Sequence, residues 1–126
     1  YRTDGTRDRS RSERIWNFHV WCDAWMKRPD RPGHDGWQAV DATPQELSGG
    51  VYQCGPASHV AVKGDLGGDY DVDFVYAEVA AGLQMWQDVP GGGTVLVGTL
   101  VDQIGHDIST KSVGAATRYD ITSEYK

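Results

Sequence analysis

His19 lies in the run Trp16-Asn17-Phe18-His19-Val20-Trp21, and Asp41 closes the run Trp37-Gln38-Ala39-Val40-Asp41. A histidine held by an acid is the general-base half of a nucleophilic triad. The imidazole takes the nucleophile's proton, while the acid fixes the tautomer and stabilises the charged ring. Side chains alternate along a strand, so Asn17, His19 and Trp21 share one face, as do Trp37, Ala39 and Asp41. The intervening Arg28-Pro29-Asp30-Arg31-Pro32-Gly33-His34-Asp35-Gly36 is dense in turn residues and suits a loop between antiparallel strands. If Trp21 faces Ala39, then His19 faces Asp41 with Cβ atoms about 4.5–5.5 Å apart, within hydrogen-bonding reach. A slip of one residue would turn the two side chains to opposite faces. Both residue types also have plainer uses. A histidine among aromatics suits a satisfied core position, and Asp41-Ala42-Thr43-Pro44 suits a turn whose aspartate caps backbone amides. Spacing alone leaves these readings open.

Other chemistry is sparse. Asp69-x-Asp71-x-Asp73 has the opening rhythm of a calcium-binding EF-hand loop, but Phe74 stands where that loop needs glycine and Ala80 where it needs glutamate. An acidic exposed loop is the better reading. Gly91-Gly92-Gly93 has no following Lys-Ser/Thr and reads as a turn, and no Gly-x-Ser-x-Gly elbow occurs. Cys22 and Cys54 make no disulfide scaffold, and the four histidines (His19, His34, His59, His106) show no i,i+4 spacing, so a transition-metal site is not expected.

The 126 residues suffice for one domain with a modest core, and a net charge of −6 is unevenly placed. Residues 1–14 carry five arginines against three acids, a net of +2, while the rest carries 7 basic and 15 acidic groups, a net of −8. The arginine-rich stretch reads as a solvated lead-in loop. The acidic body would repel phosphate, so nucleic acid is not an expected partner. No apolar run reaches the ~18 residues of a membrane helix, and the opening residues lack the apolar stretch of a signal peptide. The compartment is left open.

Along the chain, strands are expected over residues 15–26, 37–42, 51–54, 73–79, 83–87, 95–101 and 107–113. Turns are expected at 43–46 and 90–93, with one or two helical turns over 55–63 near Pro56. The pattern is β-rich with little helix.

Longer motifs now bear on the pair. Ile15-Trp16-Asn17-Phe18-His19-Val20-Trp21, Trp25-Met26-Lys27-Arg28-Pro29-Asp30 and Gly36-Trp37-Gln38-Ala39-Val40-Asp41-Ala42-Thr43-Pro44-Gln45-Glu46 follow one another in the first part of the chain. Cys54-Gly55-Pro56-Ala57-Ser58, Phe74-Val75-Tyr76-Ala77-Glu78-Val79, Ile108-Ser109-Thr110-Lys111-Ser112-Val113-Gly114 and Asp120-Ile121-Thr122-Ser123-Glu124-Tyr125-Lys126 continue the series. In this order and spacing they resemble the animal calcium-dependent transglutaminases (protein-glutamine gamma-glutamyltransferases) over nearly the whole chain.

The resemblance implies an α+β fold, the β-rich C-terminal half of a papain-like catalytic core, and a Cys-His-Asp triad. It makes His19 and Asp41 the catalytic histidine and aspartate, and Trp16 a substrate-binding residue of the acyl-acceptor tunnel. The family's nucleophilic cysteine lies upstream in a Gly-Gln-Cys-Trp segment that this sequence does not contain, and Cys54 matches a non-nucleophilic cysteine. The implied cofactor is Ca2+, with Glu13 matching an acidic metal ligand. The implied partners are glutamine- and lysine-bearing proteins and primary amines. Two stretches, Pro29–Gly36 and Ala57–Gly64, are each one residue short of the family pattern, and Ala80 stands where the family has a calcium-ligating Asn. A catalytically inactive, structural transglutaminase-like protein is the alternative expectation, and a papain-like peptidase shares the triad logic.

Overall fold

The turn-rich segment after Lys27 folds back on itself and joins two strands, β1 (Cys22–Met26) and β2 (Gly36–Val40), into an antiparallel pair. The structure is a computed structural model that describes residues 16–44, 47–64 and 72–126. The return is made by two short backbone bonds, Arg31 N–H to Arg28 O at 2.9 Å and His34 N–H to Arg31 O at 3.1 Å. The Asp35 carboxylate accepts from the Arg28 N–H at 2.6 Å, which ties the two ends of the loop together.

Asp23 lies opposite Ala39 and Trp25 opposite Trp37. The expected register, with Trp21 opposite Ala39, is therefore displaced by two residues. A displacement of two keeps the side chains of β1 and β2 on their faces, but the ladder ends at Cys22 and Val40, so it does not set His19 opposite Asp41. The strand itself is shorter than expected: residues 16–21 run in irregular backbone ahead of β1.

β5 (Ala57–Ser58) pairs antiparallel with the other edge of β2, giving a three-stranded sheet in the order β1-β2-β5. Between β2 and β5 stands a small hairpin of β3 (Leu47–Ser48) and β4 (Val51–Tyr52). Its turn uses Gly49 and Gly50 at φ 59° and 83°, the positive values that a tight two-residue hairpin requires. The expected strand over 51–54 is its second arm.

Ser58 ends β5 and caps α1 (His59–Lys63), its Oγ accepting from the Ala61 N–H at 3.1 Å. The expected helical turns thus begin three residues after Pro56. Residues 73–79, expected as a strand, form α2 (Asp73–Ala80). The buried residues Val75 and Val79 are four apart and share one helical face, while Asp73 favours the first turn electrostatically. The β-branched and aromatic residues at 74–76 suggested a strand, but burial of this face in the core decides for the helix.

β6 (Leu83–Asp88) and β7 (Thr94–Leu100) form a separate antiparallel hairpin with a bulge between Met85 and Trp86. Gly91, Gly92 and Gly93, all at positive φ, make its turn as expected. Of the expected strand over 107–113, only β8 (Ser109–Thr110) pairs, with β9 (Tyr119–Asp120). The short α3 (Thr122–Tyr125) follows. The described residues are thus rich in strands with few helices, and no described helix is long and apolar enough to cross a membrane.

The core gathers Ala39, Ala57, Ala61, Val62, Val72, Phe74, Val75, Val79, Ile108 and Tyr125, with Trp21, Ala80 and Ile121 packed on its margin. It joins the sheet, all three helices and the strand end at Ile108. Phe74 and Val79 fix α2 against it, which presents the residue before Val79 to the end of β2.

Candidate active site

Asp41 follows β2 directly. Its backbone N–H donates to Cys54 O at 2.9 Å, so the strand's last turnward step is held by the chain leading into β5. Gly55 makes that approach possible: it lies at φ 95°, and a Cβ there would meet Ala39 O at 2.4 Å. The side chain of Asp41 is fully buried.

Its two oxygens have different partners. Oδ1 accepts from the Thr43 N–H at 2.8 Å and from Thr43 Oγ1 at 3.3 Å. Oδ2 lies 2.5 Å from His19 Nε2. Asp41 thus contacts the turn through one oxygen and the His19 imidazole through the other. Burial pushes the carboxyl's pKa up. The hydrogen bonds from His19, the Thr43 backbone and Glu78, together with the His19 charge, outweigh that, and the net displacement is below the ordinary 3.8.

His19 comes from the irregular segment before β1, and aromatic neighbours place it. The Trp16 ring meets it edge-on with centroids 4.9 Å apart, and the Trp21 ring lies tilted at 5.9 Å. Trp21 is anchored in turn: its Nε1–H donates to Tyr125 Oη at 2.7 Å, and that hydroxyl donates to Asp23 Oδ1 at 2.6 Å. Burial and the Asp23 contact hold the Tyr125 phenol well above its ordinary pKa, so it stays a donor. His59 completes this cluster at 3.3 Å from Asp23.

A second buried polar group supports the loop between β1 and β2. The Arg28 guanidinium donates to Gln38 Oε1 and Pro56 O, both at 3.0 Å, and to the Asp30 carboxylate at 2.8 Å. Gln38 Nε2–H donates to His34 O at 2.8 Å, and His34 Nδ1 lies 2.7 Å from Ser58 Oγ. Satisfied networks of this kind fix a single arrangement, here that of the strand leading to Asp41.

The structure brings His19, Asp41 and Trp16 together, with Trp16 half-exposed and lining the same open cleft as His19 and Trp21. Glu13 lies outside the described residues. Cys22 and Cys54 are both free and exposed, and neither is among the described residues lining the cleft. His106 is exposed beside Asp107. The residue that the sequence reading missed is Glu78, whose Oε2 lies 3.7 Å from His19 Nε2. Read as a strand, residues 73–79 gave no reason to single it out. Helical spacing would have set it on the buried stripe with Val75 and Val79.

His19, Asp41 and Glu78 offer ligand-type atoms all within 4.8 Å of one another. The group does not fit calcium, which takes about 6–8 oxygen ligands, because it supplies one nitrogen and two carboxyls. Ala80, at the position of an implied calcium ligand, has no side-chain oxygen.

A buried acid gripping an imidazole beside an open aromatic cleft fixes the orientation of the ring. Comparison with known proteins narrows the class. No family model matches the chain. The chain is 52% identical over 124 residues, 97% of its length, to protein-glutamine gamma-glutamyltransferase 2 of Gallus gallus. It is 54% identical over 117 residues to protein-glutamine gamma-glutamyltransferase 4 of Homo sapiens, covering 89% of the chain. Among solved structures, red sea bream transglutaminase aligns over 92% of the chain with a TM-score of 0.69 and 44% identity. The chain belongs to the transglutaminase family. It spans 18% of the Gallus gallus relative, 17% of the human one and 18% of the red sea bream chain.

Proposed function

We propose that this chain is the histidine- and aspartate-bearing part of a protein-glutamine gamma-glutamyltransferase, within a papain-like α+β catalytic core. The observation that carries this reading is the buried 2.5 Å contact between His19 Nε2 and Asp41 Oδ2, in a chain about half identical to such enzymes. Because Asp41 takes Nε2, the other ring nitrogen, Nδ1, is the one that exchanges protons with a nucleophile.

In this mechanism a cysteine thiol from elsewhere in the intact protein passes its proton to His19 Nδ1. The thiolate attacks the carboxamide carbon of a protein glutamine. The imidazolium returns the proton to the departing nitrogen, which leaves as ammonia, and a thioester remains. A lysine or other primary amine then attacks the thioester while His19 takes its proton, and the thiol is released with an isopeptide product. Water in place of the amine gives glutamate. Asp41 holds the ring in position and stabilises it when charged. Trp16 walls the approach to His19, and an apolar wall excludes water in favour of an amine.

Calcium is the cofactor that the resemblance implies for the intact enzyme. The His19, Asp41 and Glu78 group does not fit that ion, and none of these steps passes through it.

The test is amine incorporation into a glutamine donor protein by the intact protein. His19→Ala is expected to lower kcat by about 100-fold or more, the scale of a lost general base. Undiminished turnover in that variant would end the assignment of His19 as the base, whereas an intact wild-type protein that incorporates no amine would favour a structural, non-catalytic transglutaminase-like role.

A further inference from the structure

Asp23 stands where β1 meets two helices that are distant in sequence. It lies opposite Ala39 on β2, so the two side chains share one face of the sheet. Its Oδ1 accepts from the Tyr125 hydroxyl of α3 at 2.6 Å, and His59 Nε2 of α1 lies 3.3 Å from the same oxygen. The His59 and Tyr125 rings pack at a tilt with centroids 4.2 Å apart. A hydroxyl carries one proton. Tyr125 commits its proton to Asp23 and so offers a lone pair to Trp21 Nε1–H, 2.7 Å away. Asp23, the terminal acceptor, therefore sets the direction of the chain. Trp21 lies one residue ahead of β1 and has no ladder partner. What holds its indole is the bond to Tyr125, the edge-on contact with that ring at 5.6 Å between centroids, and its place on the core margin. The other neighbour of the indole is the His19 ring at 5.9 Å.

We propose that Asp23 is a positioning residue for acyl transfer: by accepting the Tyr125 proton it holds the Trp21 ring against the His19 imidazole. The inference rests on the reading of His19 as the base. A hydrogen bond at one ring atom, Nε2, leaves the imidazole able to rock about that atom. The Trp16 edge at 4.9 Å and the Trp21 ring restrict that motion and keep Nδ1 aimed at the reacting groups.

The experiment measures kcat and KM for amine incorporation by the intact protein, with circular dichroism to establish that each variant is folded. Asp23→Leu keeps a side chain of similar size and removes the acceptor, while Tyr125→Phe keeps the ring and removes the hydroxyl. Each is expected to lower kcat about tenfold, the scale of one buried hydrogen bond, with KM for the glutamine donor unchanged. The double variant is expected to be no slower than the slower single one, because both groups act through one chain. Asp23→Asn keeps an acceptor oxygen, and its kcat is expected within about threefold of wild type. Asp23→Ala covers the case in which the Leu variant does not fold. Unchanged kcat in a folded Leu, Ala or Phe variant overturns the inference. Additive losses in the double variant overturn it too, since the two groups would then act separately. So does an Asn variant as slow as the Leu one, which assigns the role to charge, and so does a KM rise with kcat intact, which assigns the indole to substrate binding. His19→Ala runs in parallel: if it stays active, the proposed function itself fails, whereas its loss beside fully active Asp23 and Tyr125 variants rejects the positioning role alone.

Discussion

Asp41 divides its two oxygens between the Thr43 turn and the His19 imidazole, and that division makes it sensitive to pH and to substitution. Its folded pKa lies below 3.8, so its stabilisation is fully present above that value and is lost as pH falls through the folded value. Asp41→Asn removes the ionised acceptor and turns an amide toward one of its two partners. We expect it to cost about 1–3 kcal/mol near neutral pH, the range for a buried hydrogen bond to a charged group left unmade. The deficit should close as pH falls through the folded pKa of Asp41, itself lower than 3.8, where the wild-type carboxylate becomes protonated. Thermal midpoints of both proteins across pH 2–7 check this, and curves that stay parallel throughout would contradict it. The pair itself was legible in the sequence from residue types and motifs and not from register, because the ladder ends at Cys22 and Val40, short of both side chains. What alternation could not supply was the irregular backbone of residues 16–21, where aromatic contacts rather than a ladder place His19. Glu78 was hidden by a wrong period, since only a helical reading sets it beside Val75 and Val79.

Among the elements, the glycine-marked turns were legible because positive φ leaves few alternatives: the hairpins closed by Gly49-Gly50 and by Gly91–Gly93 both form. α2 was not, since its local residues favour a strand and only tertiary burial selects the helix. The same element depends on a distant glycine. Gly105 lies at φ 65°, and a Cβ there would stand 2.2 Å from Val79 O and 2.7 Å from Val79 Cα, both backbone atoms that have little room to give. Gly105→Ala should therefore displace the end of α2 that carries Glu78, destabilise by about 2–3 kcal/mol through strain and overpacking, and lower amine incorporation. Denaturant titration with parallel activity measurements checks this, and wild-type stability would show that the segment moves freely. On the other side of the site, Tyr125→Phe leaves Trp21 Nε1 and Asp23 Oδ1 each short of a partner. The expected cost is about 1–3 kcal/mol, with a partial loss of activity as Trp21 loosens beside His19.

At the scale of the whole chain, several large apolar side chains among the described residues are open to solvent. Trp25 and Trp37 face each other across β1 and β2 at 60% and 53% exposure, with Phe18 and Val20 also open nearby. On β7, Val95, Leu96 and Val97 are consecutive, point to both sides of the hairpin and remain exposed. A strand that is apolar on both faces belongs between two layers, and contiguous exposed apolar surface marks a site of association. The covered relatives are more than five times as long, since the chain spans 18% of the Gallus gallus protein. Expressed alone, the 126-residue chain should therefore enhance the fluorescence of an apolar dye and self-associate as its concentration rises, and it should incorporate no amine, lacking the Gly-Gln-Cys-Trp segment. Sedimentation and dye binding on the isolated chain check the first expectation. A monomer that leaves the dye unchanged would mean that the strand faces are covered from within, and measurable amine incorporation would place the nucleophile among Cys22 and Cys54, although neither is among the described residues lining the cleft of His19.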